Sequence, residues 1–326
     1  MIDIGSVDTL HNLAVIVPTK NRQPFLKRTL QYYSRYWFTG ELYVADSSDD
    51  HDVIEALLMD YPGDHWYNHF EPDVSLYQCL AHTLTQVTEP FCIFSGDDDF
   101  LVLAGIRRCL AHLEAHPELN GVFGHEMLFQ LADKMAVYGP VAWAVKRRAP
   151  EFMHDIPIER WVAYVKYCLA PHYHVGRTAV WQSAFERPDY PSIGQLDEEF
   201  LTASLFVIAG KSQALDYVTI AKQINGVSAA DRIDYFADTL RPQWAASVRR
   251  IEDRIIDGLC ARKHDRGEMG RFVPALFAHY IGSFIMHQAN AKLGLFLNGP
   301  APAPEGIDSD WGGQCGDVIR ALEGPP

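Results

Sequence analysis

Short apolar runs alternate with amphipathic stretches along residues 13–124, and that alternation leaves the chain few architectures to choose from. Leu13-Ala14-Val15-Ile16-Val17 is continuously apolar and closed by Pro18, the pattern of a strand buried on both faces. After Pro18-Thr19-Lys20-Asn21-Arg22, a helical period puts Leu26, Leu30, Tyr33 and Trp37 on one face, with Asn21 and Pro24 at its start. Leu42-Tyr43-Val44-Ala45 predicts a second strand, closed by Asp46-Ser47-Ser48-Asp49-Asp50. Helices are predicted over 52–61, where Pro62-Gly63 ends the pattern, and along the stripe Leu76, Leu80, Leu84 and Val87. A strand over 91–94, a helix over 106–116 stopped by Pro117, and an extended segment opening at Gly121 continue the series. Such alternation implies an α/β fold with a mainly parallel central sheet, right-handed crossovers and helices on both faces.

Each polar cluster follows a strand, so residues 19–22, 46–50 and 97–99 are expected on one carboxyl edge of the sheet, where ligands of such folds bind. The triplet Asp97-Asp98-Asp99 constrains the chemistry most. Three crowded carboxylates repel unless a cation joins them, and a hard divalent ion, Mg²⁺ or Mn²⁺, takes oxygen ligands and is commonly shared with substrate phosphates. A plain strand-to-helix turn, with Asp99 capping a helix begun near Leu101, would need only one of the three. No G-x-G-x-x-G or P-loop sequence follows the first strand, which argues against a dehydrogenase or a P-loop NTPase.

Past Ala136 the pattern is less regular. A helix is predicted over 157–169, extended backbone over 172–175, a helix from the acidic opening Leu196-Asp197-Glu198-Glu199 through Ala209, and a strand over 214–220. Two long helices are expected over 231–264 and 272–297, then a Pro-rich linker and a tail. The aromatic stripe within 272–296 suits core packing or a contact between copies of the chain.

A formal charge of −14 and a pI near 5.4 argue against nucleic acid or an anionic membrane as the main partner. Six scattered cysteines, without a C-x-x-C pair, read as reduced thiols. The first residues lack a signal-peptide pattern and no apolar stretch is long enough to span a bilayer, so a cytoplasmic protein is expected.

Taken together, Pro18, Thr19, Asn21, Arg22, Phe25, Leu26 and Arg28, then Asp46-Ser47-Ser48, then Asp97-Asp98-Asp99-Phe100 resemble the family 2-type glycosyltransferases of GT-A fold. The likeness is nearest to a bacterial subgroup with P-T-x-N-R and D-D-D-F motifs, and the stretch from Glu199 to Gly210-Lys211 resembles that group's acidic helix start. The resemblance covers roughly residues 13–225 and implies a nucleotide-sugar donor, a divalent ion, and transfer to a glycan, lipid-linked or other hydroxyl acceptor. It implies a GT-A-type domain over 1–228, with a donor half about 13–125 and an acceptor half about 126–228. A helical extension over 229–298 and a linker and tail over 299–326 would follow. By analogy Pro18, Thr19, Arg22, Asp46, Asp97 and Asp98 bind the donor, with Thr19 and Asp46 on the nucleobase or ribose. Asp97 and Asp99 would hold the metal, and one of Asp197, Glu198 and Glu199 would be the general base of an inverting reaction.

Two other readings compete. A sugar nucleotidyltransferase usually carries a glycine-rich loop with a basic residue after the first strand, absent between Pro18 and Pro24. A non-catalytic subunit that binds a nucleotide-sugar or glycan would not need the full aspartate triplet. Arg22 either pins the diphosphate or braces the Asp46 cluster. His172 and His174 are expected on one face of an extended segment, as ordinary half-buried histidines more than as ligands. His125 could face the site. Trp143, Trp161 and Trp181 suit core packing more than sugar stacking.

Overall fold

The computed structural model describes residues 10–36, 38–167, 170–186, 195–225, 234–298, 304 and 306–324, with the backbone alone described at 195–197 and 295–298. Trp37, Cys168 and the Pro-rich linker, apart from isolated positions, lie outside the described residues.

The first half runs β1 (Leu13–Thr19), α1 (Gln23–Arg35), β2 (Glu41–Asp46), α2 (Asp52–Met59), β3 (His65–His69), α3 (Leu76–Leu84) and β4 (Phe91–Phe94). Next come β5 (Phe100–Leu101), α4 (Leu103–Ala115), β6 (Leu119–Leu131), β7 (Val141–Arg147) and α5 (Pro157–Tyr167). A 3-10 turn over Pro171–Tyr173 leads into β8 (Val175–Arg177), α6 (Thr178–Phe185), α7 (Gln195–Ala209) and β9 (Lys211–Gln223). The remainder is helical: α8 (Tyr235–Thr239), α9 (Trp244–Cys260), α10 (Arg266–Asn298), α11 (Ser309–Gln314) and α12 (Gly316–Leu322). None of the described helices is long and apolar enough to cross a membrane.

The sheet is ordered β3-β2-β1-β4-β8-β6-β9-β5, with β7 beside β6. Strands β1 to β4 pair in parallel. The short β8 is antiparallel to both β4 and β6. Two reversals in series restore the direction, so β6 and its parallel partner β9 end on the same edge as β4. That brings the ends of β1, β2, β4, β6 and β9 together.

Alternate residues of the central strands feed two cores. Leu13, Val15, Val17, Leu42, Val44, Phe91 and Ile93 face one side, with α1 and α4. Ala14, Ile16, Tyr43, Cys92 and Phe94 face the other, with α5, α6, α7, α9 and α10. Burial on both faces is why these runs are apolar throughout rather than alternating.

The structure departs from the sequence expectations where local chemistry competes with periodicity. β3, read HWYNH, has no apolar run and lies at the sheet edge, so its strand character comes from pairing with β2. Residues 172–174 are not extended: Pro171 starts a 3-10 turn closed by His174 N–H on its carbonyl at 2.9 Å, and the strand begins only at Val175. The helix expected over 231–264 is divided into α8 and α9 across 240–243, which includes Pro242. Part of the expected tail is structured. Trp311 of α11, Cys315 at the junction, and Val318 and Leu322 of α12 are buried in the same core as α1, and Gly139 N–H bonds Leu322 O at 2.9 Å. The five described cysteines are free thiols.

Candidate active site

The aspartate triplet is held from below by α1. Arg28, 1% exposed, donates from Nη2 to Asp98 O at 2.7 Å and from Nη1 to Val137 O and Gln223 Oε1, both at 2.6 Å. One residue on, Thr29 Oγ1 donates to Asp97 O at 2.8 Å, and one turn on, Tyr32 OH donates to Leu101 O at 2.8 Å. The loop after β4 cannot pair its carbonyls within the sheet, so helix side chains satisfy them. Arg28 also lies over the Phe100 ring at 4.6 Å, and burial lowers its pKa to about 10, with Asp98 opposing. The motif's Arg28 and Phe100 thus serve the loop as a support and its counter-face.

The carboxylates above that bed have separate partners. Thr19 Oγ1 donates to Asp97 Oδ2 at 2.8 Å, and Arg22 Nη1 lies 3.3 Å from Asp97 Oδ1. Asp98 Oδ2 accepts from Arg22 Nη2 at 2.6 Å and from Asn225 Nδ2 at 2.7 Å. Asp99 Oδ2 accepts from Tyr173 OH at 2.7 Å. Gly96 is required by this crowding, since a Cβ there would meet Asp99 Oδ2 at 2.9 Å and Asp98 Oδ1 at 3.0 Å. Asp99 does not cap α4, whose N-cap is Val102 without a side-chain hydrogen bond. Burial first, then the charge of Asp98, pushes both the Asp97 and Asp99 carboxyls up to about 7. Arg22 and Thr19 oppose the rise at Asp97, and Lys222 and Tyr173 oppose it at Asp99.

Those raised carboxyls fit a divalent ion. Among the described residues no three His, Cys, Asp or Glu side chains converge on one point as a closed metal cage. A magnesium-type ion needs no such cage, because one or two carboxylates plus substrate phosphates and water complete its shell. Among the described residues Asp99 Oδ1 accepts no hydrogen bond and Asp97 Oδ1 faces only Arg22 Nη1 at 3.3 Å, so each carboxylate has an oxygen to offer an ion.

At the end of β2, Asp46 is fully buried, accepting from Ser48 N–H at 2.8 Å and Tyr67 OH at 2.9 Å. Asn21 joins this corner to β1. Its N–H bonds Ser48 Oγ at 2.8 Å, and its side chain exchanges hydrogen bonds with Asp49. Asn21 has φ 56°, a left-handed backbone that Asn tolerates better than most residues, which accounts physically for the Asn of P-T-x-N-R. Arg22 then points at the aspartate triplet and not at the Asp46 cluster. Pro18 pairs in β1 beside Ala45 and is half-buried.

The acidic opening of α7 splits. The Asp197 side chain lies outside the described residues. Glu198, 3% exposed, accepts from Ser75 Oγ at 3.2 and 3.3 Å, beside the N-terminus of α3. Glu199 turns elsewhere: burial raises its carboxyl, while Lys222 and a hydrogen bond from Tyr77 pull it down. Lys222 Nζ stands 4.0 Å from the centre of the Tyr173 ring, the same tyrosine that holds Asp99. Lys222 and Tyr173 therefore link the aspartate triplet to Glu199.

The histidines are core residues. His172 meets Thr202 Oγ1 at 3.1 Å and burial lowers it to about 3, while His174 stacks on Phe123 at 3.6 Å and is lowered well below its ordinary value. His125 pairs with Asp216 at 3.0 Å, away from the triplet's partners. Trp161 and Trp181 are wholly buried and Trp143 is 6% exposed, so none offers a face to a sugar. Sequence reasoning missed Tyr67, Tyr173, Lys222 and Asn225. Of these, only Lys222 and Asn225 carried a signal, as polar residues just where an apolar strand ends.

Solved structures of S. aureus TarS share this architecture. The 1–349 form matches at a TM-score of 0.54 and 14% identity over 95% of this chain and 80% of that one. The same form in complex with UDP-GlcNAc gives 0.56 and 14% over 95% and 81%. A longer TarS structure is spanned over 49% of its length. No protein-family model and no curated protein matches the sequence. The structural likeness shows the fold, an α/β GT-A-type arrangement with a mainly parallel sheet.

Proposed function

We propose that the chain is a metal-dependent glycosyltransferase that moves a sugar from a nucleotide-sugar donor to an acceptor hydroxyl with inversion. The observation that carries this is the buried aspartate triplet on the carboxyl edge of a GT-A-type sheet, with two carboxyls lifted to about 7 by crowding. The complexes of TarS with UDP-GlcNAc and with UDP support a nucleotide-sugar site on this fold.

In this reading Asp97 and Asp99 hold Mg²⁺ or Mn²⁺, which supplies Lewis-acid stabilisation of the leaving diphosphate. Thr19 and Arg22 fix Asp97, Tyr173 fixes Asp99, and Asp98 serves as the anchor that orients Arg22 beside the donor. Pro18, Thr19 and the Asp46 corner line the nucleobase and ribose side. Glu199 is the general base. Its carboxyl is raised by burial, toward the range in which a base both ionises and accepts a proton readily. Glu198 is committed to Ser75 and the start of α3. The acceptor oxygen attacks the anomeric carbon, Glu199 takes its proton, and the bond to the diphosphate breaks on the opposite side. A glycan, in surface polysaccharide assembly, is the acceptor class that the sequence resemblance favours.

The test is a thermal-shift screen of nucleoside diphosphates with and without Mn²⁺, followed by turnover of a donor panel. At least one nucleotide should raise the melting midpoint strongly only with the ion present, by mass action. Asp99→Ala should remove that shift and transfer while staying folded. Full transfer in excess EDTA would overturn metal dependence, and binding without any transfer would favour a non-catalytic subunit.

A further inference from the structure

The last turn of β9 contributes more to the site than a support. Gln223 accepts from Arg28, and Asn225 donates to Asp98, so both neighbours of this strand end are committed to the aspartate bed. Lys222, immediately before them, is not. Its ammonium lies on the Tyr173 face, and among the described residues no carboxylate oxygen comes within ion-pair reach of it. Its charge nevertheless acts on Asp99 on one side and Glu199 on the other. An ammonium docked on an aromatic ring, flanked by acids yet bonded to neither, is a cation kept in reserve for an anion that arrives.

We infer that Lys222 engages the β-phosphate of the donor, so that the leaving oxygen is met by an ammonium held on Tyr173 beside the Asp99 carboxylate. The inference rests on the glycosyltransferase reading and assigns the site a second positive group besides the metal. As the acceptor oxygen bonds to the anomeric carbon, the bond from that carbon to the β-phosphate oxygen breaks. The electron pair stays with that oxygen, the acceptor proton goes to Glu199, and the product is a nucleoside diphosphate. Lys222 gives up no proton. It faces the charge that grows on the β-phosphate. The contact distinguishes a diphosphate from a monophosphate, because only the former carries the oxygen it meets. The Tyr173 ring fixes the direction of a flexible side chain, so little ordering is left to do when the donor binds.

The experiment compares wild type, Lys222→Gln and Lys222→Arg by calorimetric titration with a nucleoside diphosphate and the matching monophosphate in Mn²⁺, together with steady-state transfer. Lys222→Gln is expected to lose about tenfold or more in diphosphate affinity while keeping monophosphate affinity. Its kcat should fall about 10²-fold, the usual effect of deleting one group that meets a developing oxyanion. Lys222→Arg should recover most of both, since it keeps a cation on the ring. Mn²⁺ binding without nucleotide should be equal in all three. Unchanged diphosphate affinity and kcat in Lys222→Gln overturn the inference and leave the glycosyltransferase reading standing. Loss of Mn²⁺ binding or equal loss for both nucleotides overturns it in favour of a structural role. A wild type that binds no nucleoside diphosphate overturns both.

Discussion

Tyr173 donates its phenolic hydrogen to Asp99 Oδ2 across 2.7 Å, from a turn 74 residues further along the chain. In the proposed reading that single bond leaves Asp99 Oδ1 as the oxygen that would meet a metal. Tyr173→Phe keeps the ring under Lys222 and removes only the donor. It should weaken Mn²⁺ binding about 10- to 100-fold, the usual cost of losing a partner behind a metal-binding carboxylate. Mn²⁺ titration followed by electron paramagnetic resonance, alongside the melting midpoint, would check this. An unchanged Mn²⁺ affinity would deny Tyr173 that role.

The raised carboxyls of Asp97 and Asp99 make stability depend on pH in a specific direction. Between roughly pH 4 and 7 the metal-free folded protein holds protons there that the unfolded chain has released. The contribution of this pair to stability is therefore greatest below pH 4 and falls as pH rises to 7, by up to about 1.4 kcal/mol per pH unit for each proton. Midpoints measured in EDTA from pH 5 to 8 should carry this decline. Added Mn²⁺ should offset it above pH 7 and have little effect at pH 5. Asp99→Asn should flatten both dependences.

Arg28 and Thr29 should separate in magnitude. Arg28→Ala strips partners from Asp98 O, Val137 O and Gln223 Oε1 at once, and should lower stability by about 3 kcal/mol or more. Thr29→Val leaves only Asp97 O without its donor and should cost about 1–2 kcal/mol. Urea unfolding with a common slope would measure both. Equal costs would show that α1 does not carry the loop in this way.

Asp46 accepts from two donors, so an amide cannot replace it silently. Asp46→Asn turns one acceptor into a donor facing Ser48 N–H or Tyr67 OH, and should cost about 1–3 kcal/mol of stability and weaken nucleotide binding. Tyr67→Phe removes the same contact, so the double variant should lose less than the sum of the two single losses. Additive losses, read from a double-mutant cycle, would argue against the pairing.

Glu198 and Glu199 should divide stability from catalysis. Glu199→Gln is expected to lower turnover by about 10²–10⁴-fold while retaining diphosphate affinity. Glu198→Gln should cost stability and leave turnover per folded molecule near normal, because its carboxylate serves Ser75 at the start of α3. The reverse pattern would move the base to Glu198.

The central strands and the shared edge of their polar clusters were readable because burial on both faces leaves no room for polar residues in 13–17 or 91–94. β3 was not readable, since an edge strand with one polar flank can carry HWYNH and rely on its neighbour for pairing. The aspartates, Thr19 and Arg22 announced themselves by position. Tyr173 and Lys222 did not, because each becomes meaningful only once the two β8 reversals bring β9 alongside β4. The distinction between Glu198 and Glu199 lies in the rotation of adjacent helix residues by about 100°, which a run of acids cannot reveal.

Packing of α11 against β7 and β9, and of α12 against α1, has a consequence for biosynthesis. Trp311 packs at a tilt against Phe129, Gln314 accepts from Val218 N–H, and Leu322 joins the core that includes Val15 and Leu26. While the chain leaves the ribosome, β1 to β4 can emerge and pair early, yet the aspartate bed also needs Gln223 and Asn225 and its core needs residues 311–322. Nascent chains stalled before that point should expose apolar surface and depend on chaperones, as incomplete domains generally do. Competence to bind a substrate would then arrive in one step, only after residues 311–322 have left the ribosome.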